Sequence, residues 1–200
     1  MNIRQALEAQ FGAAPHIQLN DVEVDPASIR AILINEVVPA DPAQDFYGVG
    51  GEEYLSTTIP LFQQAGLDVR SIGDILDMGV YITNAVKTPK NGYAIEKPSI
   101  EESLPYLEAE LALFPNVQVI ILCGDVAKKM VNMIVKKATK KNVIPSGATY
   151  KLRGNEYHYG AIRVMPSYII TGGNLLIERS KVHMITQDIA AMAKIIQQSA

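Results

Sequence analysis

The residues able to do chemistry in this chain gather at the ends of apolar runs. In "GVYITNAVKTP" three strand-forming residues, Val80, Tyr81 and Ile82, run into Thr83 and Asn84, with Lys87 and Pro89 close behind. The Asn84 amide donates and accepts hydrogen bonds at once, so it suits either ligand recognition or the capping of its own loop. Glu36 stands near the end of "AILINEVV", where a carboxylate serves to orient water or to fix a loop by a salt bridge. Phe46 and Tyr47 precede "GVGG", whose Gly48, Gly50 and Gly51 let backbone approach a ligand or phosphate closely. A further run ends in "RVMPSYIIT", which brings Met165, Ser167 and Tyr168 to a strand end.

Metal chemistry is poorly supplied. Cys123 is the only cysteine, which excludes an internal disulfide and any iron–sulfur or zinc site built from several thiolates. His16, His158 and His183 are scattered without ligand-like spacing. No cofactor and no metal centre are expected, although carboxylate sites for magnesium are left open.

These residues need elements to position them. The chain has 200 residues, 48% hydrophobic and 20% charged, which suits one domain over 1–200 with a sizeable core. No apolar run is long enough to cross a bilayer, and "MNIRQALEAQFG" is amphipathic rather than a signal sequence, so a cytoplasmic protein is expected. "AILINEVV" reads as a strand buried on both faces and opens into the loop "PADPAQDFYGVGG". "EEYLSTTIPLFQQAG" has helical spacing, with a kink or break at Pro60. "VYITNAV" is a second strand, and Ser99 with Glu102 forms a capping-box pattern opening the helix "SIEESLPYLEAELALF". "VQVIILCG" is the clearest buried strand, and the helix after it faces Val126, Met130, Met133 and Ile134 inward. Gly154-Asn155 reads as a hairpin turn between two alternating segments, and "AIRVMPS" as a fourth strand. The closing helix carries a core stripe of Ile185, Ile189, Met192 and Ile196.

Strands alternating with helices imply an α/β fold with a parallel sheet covered on both faces. Ligands of such folds bind beyond the carboxyl ends of the strands, where the four polar loops lie. The net charge of −3 and pI near 5.6 count against tight, nonspecific nucleic-acid binding. A local basic face remains: Lys128, Lys129, Lys136, Lys137, Lys140 and Lys141 crowd one helix and its exit, either as a solvated face or as a phosphate-tracking surface.

Taken in order, "INE…P…FYGVGG", "GVYITNAVKTP", "VIILCGDVAKKM" and "RVMPSYIIT" resemble the uracil-DNA glycosylase superfamily, from about Arg30 to Ile196. The resemblance is strongest to the branch whose second motif reads much like "YITNAVK". It implies a three-layer α/β/α sandwich with a central, mostly parallel, four-stranded sheet. It also implies an enzyme that flips a base from DNA and cleaves its N-glycosidic bond, with a free nucleobase as another ligand. On this resemblance Asn84 reads the base, Glu36 orients water, and Phe46 stacks on the flipped ring with Tyr47 beside it. Asp41 and Asp45 are fallback carboxylates. Gly50, Gly51, Lys87, Ser167 and Tyr168 would contact DNA or phosphate, and Tyr168, Ile169 and Ile170 would either wedge into the duplex or pack.

Two departures stand out. Met165 occupies the position of the family histidine that donates to the leaving base, and a thioether has no N–H or O–H to give. His158 and His183 are nearby substitutes or ordinary surface histidines. The most similar branch carries four cysteines around an iron–sulfur cluster, so this chain reads as a cluster-free relative. Three functions follow: a glycosylase-like hydrolase, a degenerate base- or DNA-binding module, or a different hydrolase on the same fold.

Overall fold

Parallel strands buried on both faces need helices above and below, and the chain supplies them. The computed structural model describes residues 1–49 and 53–198. Among them the sheet comprises β1 (Ala31–Val37), β2 (Val80–Val86), β3 (Val119–Cys123), β4 (Tyr157–Tyr159) and β5 (Ile162–Ser167). Their spatial order is β2-β1-β3-β5-β4, with β4 alone antiparallel, against β5. The helices are α1 (Ile3–Phe11), α2 (Glu53–Gln64), α3 (Ile72–Asp77), α4 (Lys97–Leu111), α5 (Asp125–Thr139), α6 (Thr149–Leu152) and α7 (Arg179–Gln198).

Side chains alternate along each strand, and the two faces sort into two cores. Ile32, Ile34, Tyr81, Ile120 and Leu122 pack beneath α1, α4 and α5. Leu33, Ile82, Ile121, Cys123 and Met165 pack beneath α2, α3 and α7. This is the three-layer sandwich the resemblance implied. Each buried Leu or Ile contributes ~1.5–3 kcal/mol by leaving water, which is why β1, β2 and β3 carry no charge apart from Glu36 near the carboxyl end of β1.

The sheet has five strands where four were expected. The additional strand is β4, a short edge strand. Its hairpin with β5 turns at Gly160 (φ 59°) between the paired residues Tyr159 and Ile162, not at Gly154-Asn155. Of the two alternating segments flanking Gly154-Asn155, the first folds as a helix over Thr149–Leu152. The capping box does not form: α4 begins at Lys97, with Pro98 in its first turn, where a fixed φ and a missing N–H cost nothing. Glu102 instead pairs with His16 across the surface. Helix α2 runs through Pro60. On α5 the fully buried residues are Ala127, Met130, Val131 and Val135, while Val126, Met133 and Ile134 are partly buried. The stripe of α7 is core as expected.

Register fixes a polar row at the carboxyl edge. Asn35 pairs with Asn84 and Cys123 with Ser167, one residue beyond the level of Ile34 and Leu122. Met165 pairs with Ile121, which lies level with Leu33 and Ile82, in the apolar row beneath. The chain after β1 enters α2 on one face and the chain after β3 enters α5 on the other, so the loops part and leave a crevice between them.

Candidate functional site

That crevice is a cavity of ≈ 480 Å³, lined among others by Glu36, Gly124, Ser167, Tyr168, Thr171 and Lys181. Glu36 points to the α5 side of the sheet, where its Oε2 accepts a hydrogen bond from the Val126 N–H at 2.9 Å. A carboxylate at a helix N-terminus satisfies an otherwise orphan donor and complements the helix dipole. Its other oxygen accepts nothing from the described residues. Burial raises the Glu36 carboxyl above the ordinary glutamate range, which outweighs the lowering by the Val126 N–H. Gly124 makes room for this arrangement. At φ 112°, a Cβ there would lie 2.8 Å from Glu36 Cγ and Cδ and from Ile169 Cγ1.

Asn84 lies on the opposite face, 1% exposed, and its amide is already engaged. Its Nδ2 donates to Asp45 Oδ1 at 2.8 Å, and its Oδ1 accepts from Asn35 Nδ2 at 3.3 Å. Asn35 Nδ2 also donates to Thr171 Oγ1 at 3.0 Å, and Asn35 Oδ1 accepts from the Ile170 N–H at 3.2 Å. Thr171 lines the cavity. Asn84 is therefore linked to the cavity through Asn35 and Thr171, rather than forming its wall.

The loop after β1 delivers Asp45. Asp41 caps a short 3₁₀ turn, Pro42–Gln44, through Ala43 N–H, so this fallback carboxylate is engaged in local structure. Asp45 Oδ1 accepts from both Phe46 N–H and Asn84 at 2.8 Å, while burial raises its carboxyl above the ordinary range. Gly48 is required where this loop closes: a Cβ would sit 2.2 Å from the Ala43 carbonyl oxygen. The Phe46 ring has no exposed area and packs 5.2 Å from Tyr54. Tyr47 lies nearly parallel to Tyr81 at 5.8 Å, and its hydroxyl oxygen accepts from the Ile82 N–H at 3.0 Å. Neither residue lines the Glu36 cavity; both belong to the surroundings of a separate groove of ≈ 640 Å³ that includes Leu55, Ile59 and Arg70. Gly50 and Gly51 lie outside the described residues.

Lys87, expected at phosphate, is 2% exposed. Its Nζ donates to Glu110 Oε1 at 2.6 Å and to Thr83 Oγ1 at 3.0 Å, and Tyr81 and Thr83 hydroxyls satisfy the other Glu110 oxygen. The ammonium is therefore enclosed in a buried ion pair beneath α4. Met165 is 7% exposed within the apolar core and brings no donor to the site. His158 and His183 are exposed, beside Glu156 and Gln187, away from the cavity.

Ser167 does reach the cavity, and its hydroxyl donates to Asp188 Oδ2 at 2.7 Å. Asp188 in turn takes Arg153 NH2 at 3.0 Å on Oδ1. Tyr168 is half-buried with Lys181 Nζ 5.9 Å from its ring centre. Ile169 is exposed at the cavity rim, whereas Ile170 is buried, its carbonyl oxygen held by Thr57 Oγ1 at 2.7 Å. Sequence reasoning missed Asn35, Asp188, Arg153 and Glu110. Asp188 left a signal, an acid set between Ile185 and Ile189 on an apolar helical stripe.

Among the described residues no cluster of three or more His, Cys, Asp or Glu side chains could hold a metal, and no helix is long and apolar enough to cross a membrane. No curated protein matches the chain. The family model that does match, the Uracil DNA glycosylase superfamily, covers residues 32–172. That span runs from the second residue of β1 past the Thr171 contact, through every strand-end loop that builds the site. The chain belongs to the uracil DNA glycosylase superfamily.

Proposed function

We propose that the protein is a DNA glycosylase-like hydrolase that cleaves the N-glycosidic bond of uracil or another altered base in DNA. Glu36 carries this reading: a half-buried carboxylate in the cavity wall, one oxygen pinned by Val126 N–H and the other available to a water. Water oxygen bonds to the sugar carbon as the carbon–nitrogen bond breaks, and the bond's electron pair leaves with the base. Glu36 takes up or orients the proton of that water, and its negative charge favours the cationic sugar. Asn84 would read the base edge, which requires Asp45 to release its amide. Ser167, held by Asp188, would position phosphate or sugar at the cavity floor.

One observation favours a second reading, a binding module that holds a base or DNA without cleaving it. Met165 lies in the apolar core, so no side chain at that position stabilises the leaving base. A base-release screen over single- and double-stranded oligonucleotides bearing uracil, hypoxanthine or xanthine separates the two. The hydrolase predicts release that Glu36→Gln and Asn84→Ala each lower by at least ~10²-fold. Binding without release by the wild-type protein selects the second reading, and neither binding nor release removes both.

A further inference from the structure

Residues 126–155 contain no carboxylate at all. The stretch holds seven lysines and Arg153, leaving 10 basic and 21 acidic residues in the rest of the chain. It comprises all but the first residue of α5, the turns after it, and α6. Part of its charge is locally neutralised: Lys128 pairs with Asp125 at 3.3 Å, Lys137 with Glu108 at 2.8 Å, and Arg153 with Asp188 at 3.0 Å. Lys129, Lys136, Lys140 and Lys141 are exposed, with no carboxylate within ion-pair distance among the described residues.

A groove of ≈ 300 Å³ follows this face, lined by Lys128, Lys129, Lys136, Asn132, Asn142 and Ser146. Asp125 belongs both to this groove and to the wall of the Glu36 cavity, so the two meet there. The cavity itself carries Glu36, Asp125 and Glu178 against Lys181 alone, a lining that repels a polyanion. Attraction for a charged strand must come from its flank. Lys129 and Lys136 are seven residues apart on α5, about 10.5 Å along the axis, and Lys140 caps the helix about one turn later. One DNA strand rises ~3.4 Å per phosphate, so Lys129 and Lys136 stand roughly three phosphates apart and Lys140 about two further on. Tyr150, next in the chain to Thr149 of the cavity wall, is 59% exposed, with Lys151 Nζ 5.7 Å from its ring centre, a flat surface on which a base can stack.

We propose that this α5 face is a backbone track that carries a nucleic-acid strand to the cavity. The inference rests on the nucleic-acid reading above but not on cleavage. It places the electrostatic footprint outside the strand-end loops and confines it to one flank of an otherwise acidic protein.

The test is fluorescence anisotropy with a labelled 20-nucleotide strand and its duplex, between 50 and 200 mM salt. The probes are the wild-type protein, the triple variant Lys129→Ala, Lys136→Ala, Lys140→Ala, and Lys97→Ala as a control on an unrelated exposed helix. The triple variant should bind at least ~10-fold more weakly at the lowest salt, and its slope of log affinity against log salt should shrink by about 2–3. Lys97→Ala should bind like wild type. The inference is overturned if the triple variant binds as wild type does or if the wild-type protein binds neither probe. It is also overturned if polyglutamate of equal charge competes as well as DNA, which would mark a surface for acidic protein. Lysine-dependent binding without base release would sink the hydrolase and leave the track standing. Base release from a trinucleotide with no lysine-dependent binding would do the reverse.

Discussion

Asn84 Nδ2 and Asp45 Oδ1 lie 2.8 Å apart, so the amide at the end of β2 is held by a carboxylate of the same chain. The pairing joins the end of β2 to the loop that follows β1. Replacing Asn84 by Ala removes the proposed reader and leaves Asp45 with Phe46 N–H alone. Base release should fall about 10²–10³-fold, as for loss of one oriented transition-state contact, and binding of the base should weaken with it. The lost buried bond should cost ~1–3 kcal/mol, read as a lower Tm with an unchanged circular-dichroism spectrum.

Asp45 also makes a pH prediction. Burial raises its carboxyl in the folded protein, so the fold binds that proton more tightly than the unfolded chain does. Its contribution is favourable below the ordinary aspartate range and is lost as pH rises through the raised folded value. Asp45→Asn keeps an acceptor for Asn84 and removes the buried charge. The variant should melt above the wild type at neutral pH, and the gap should close on acidification. Equal melting temperatures at all pH values would show that the charge is not desolvated.

Glu36 should set the acid limb of activity. Its raised carboxyl loses its proton above the ordinary glutamate range, and only the charged form serves as a base. Base release should therefore climb with pH through a midpoint displaced upward from that range. Glu36→Gln should remove this limb along with most of the rate, at least ~10²-fold for loss of a positioned base. A limb that survives in Glu36→Gln belongs to another group.

Met165 offers a test of whether the missing histidine can be restored. Its side chain lies in the row of Ile121 and Leu33, below the polar edge. Met165→His should destabilise by ~1–3 kcal/mol, because an imidazole there has no partner. It should not raise base release. Met165→Leu conserves volume and should cost less than ~1.5 kcal/mol. A gain of activity in Met165→His would mean that β5 shifts to present the ring.

The Lys87–Glu110 pair should behave as a buried ion pair and not as a DNA contact. Lys87→Met strands the Glu110 charge and should cost ~3–5 kcal/mol, while Lys87→Met combined with Glu110→Leu should recover much of it. Thermal melts of both variants check this. Salt dependence of DNA binding should be the same in the double variant and the wild type.

Much of the fold was legible because burial on both faces forces a recognisable composition. "AILINEVV" and "VQVIILCG" have to be parallel strands, and the stripe of α7 has to be core. The short β4 escaped because Tyr157 to Tyr159 hold no buried residue to mark a strand, and its turn lay at the later glycine. Motif order also pointed to the family whose model matches residues 32–172.

The sequence by itself determined which residue types stand at the strand ends. Hydrophobic periodicity and chain order are local properties. Tertiary structure alone decided which of those residues face the cavity and which face one another. Asn35 and Glu36 are neighbours in the chain but point to opposite sides of the sheet, one to Asn84 and one to Val126. Lys87 and Met165 sit in strand-end motifs yet turn inward, to Glu110 and the apolar core. A side chain's partner depends on register and on which helix covers its face. Both are set by contacts between segments far apart in the chain.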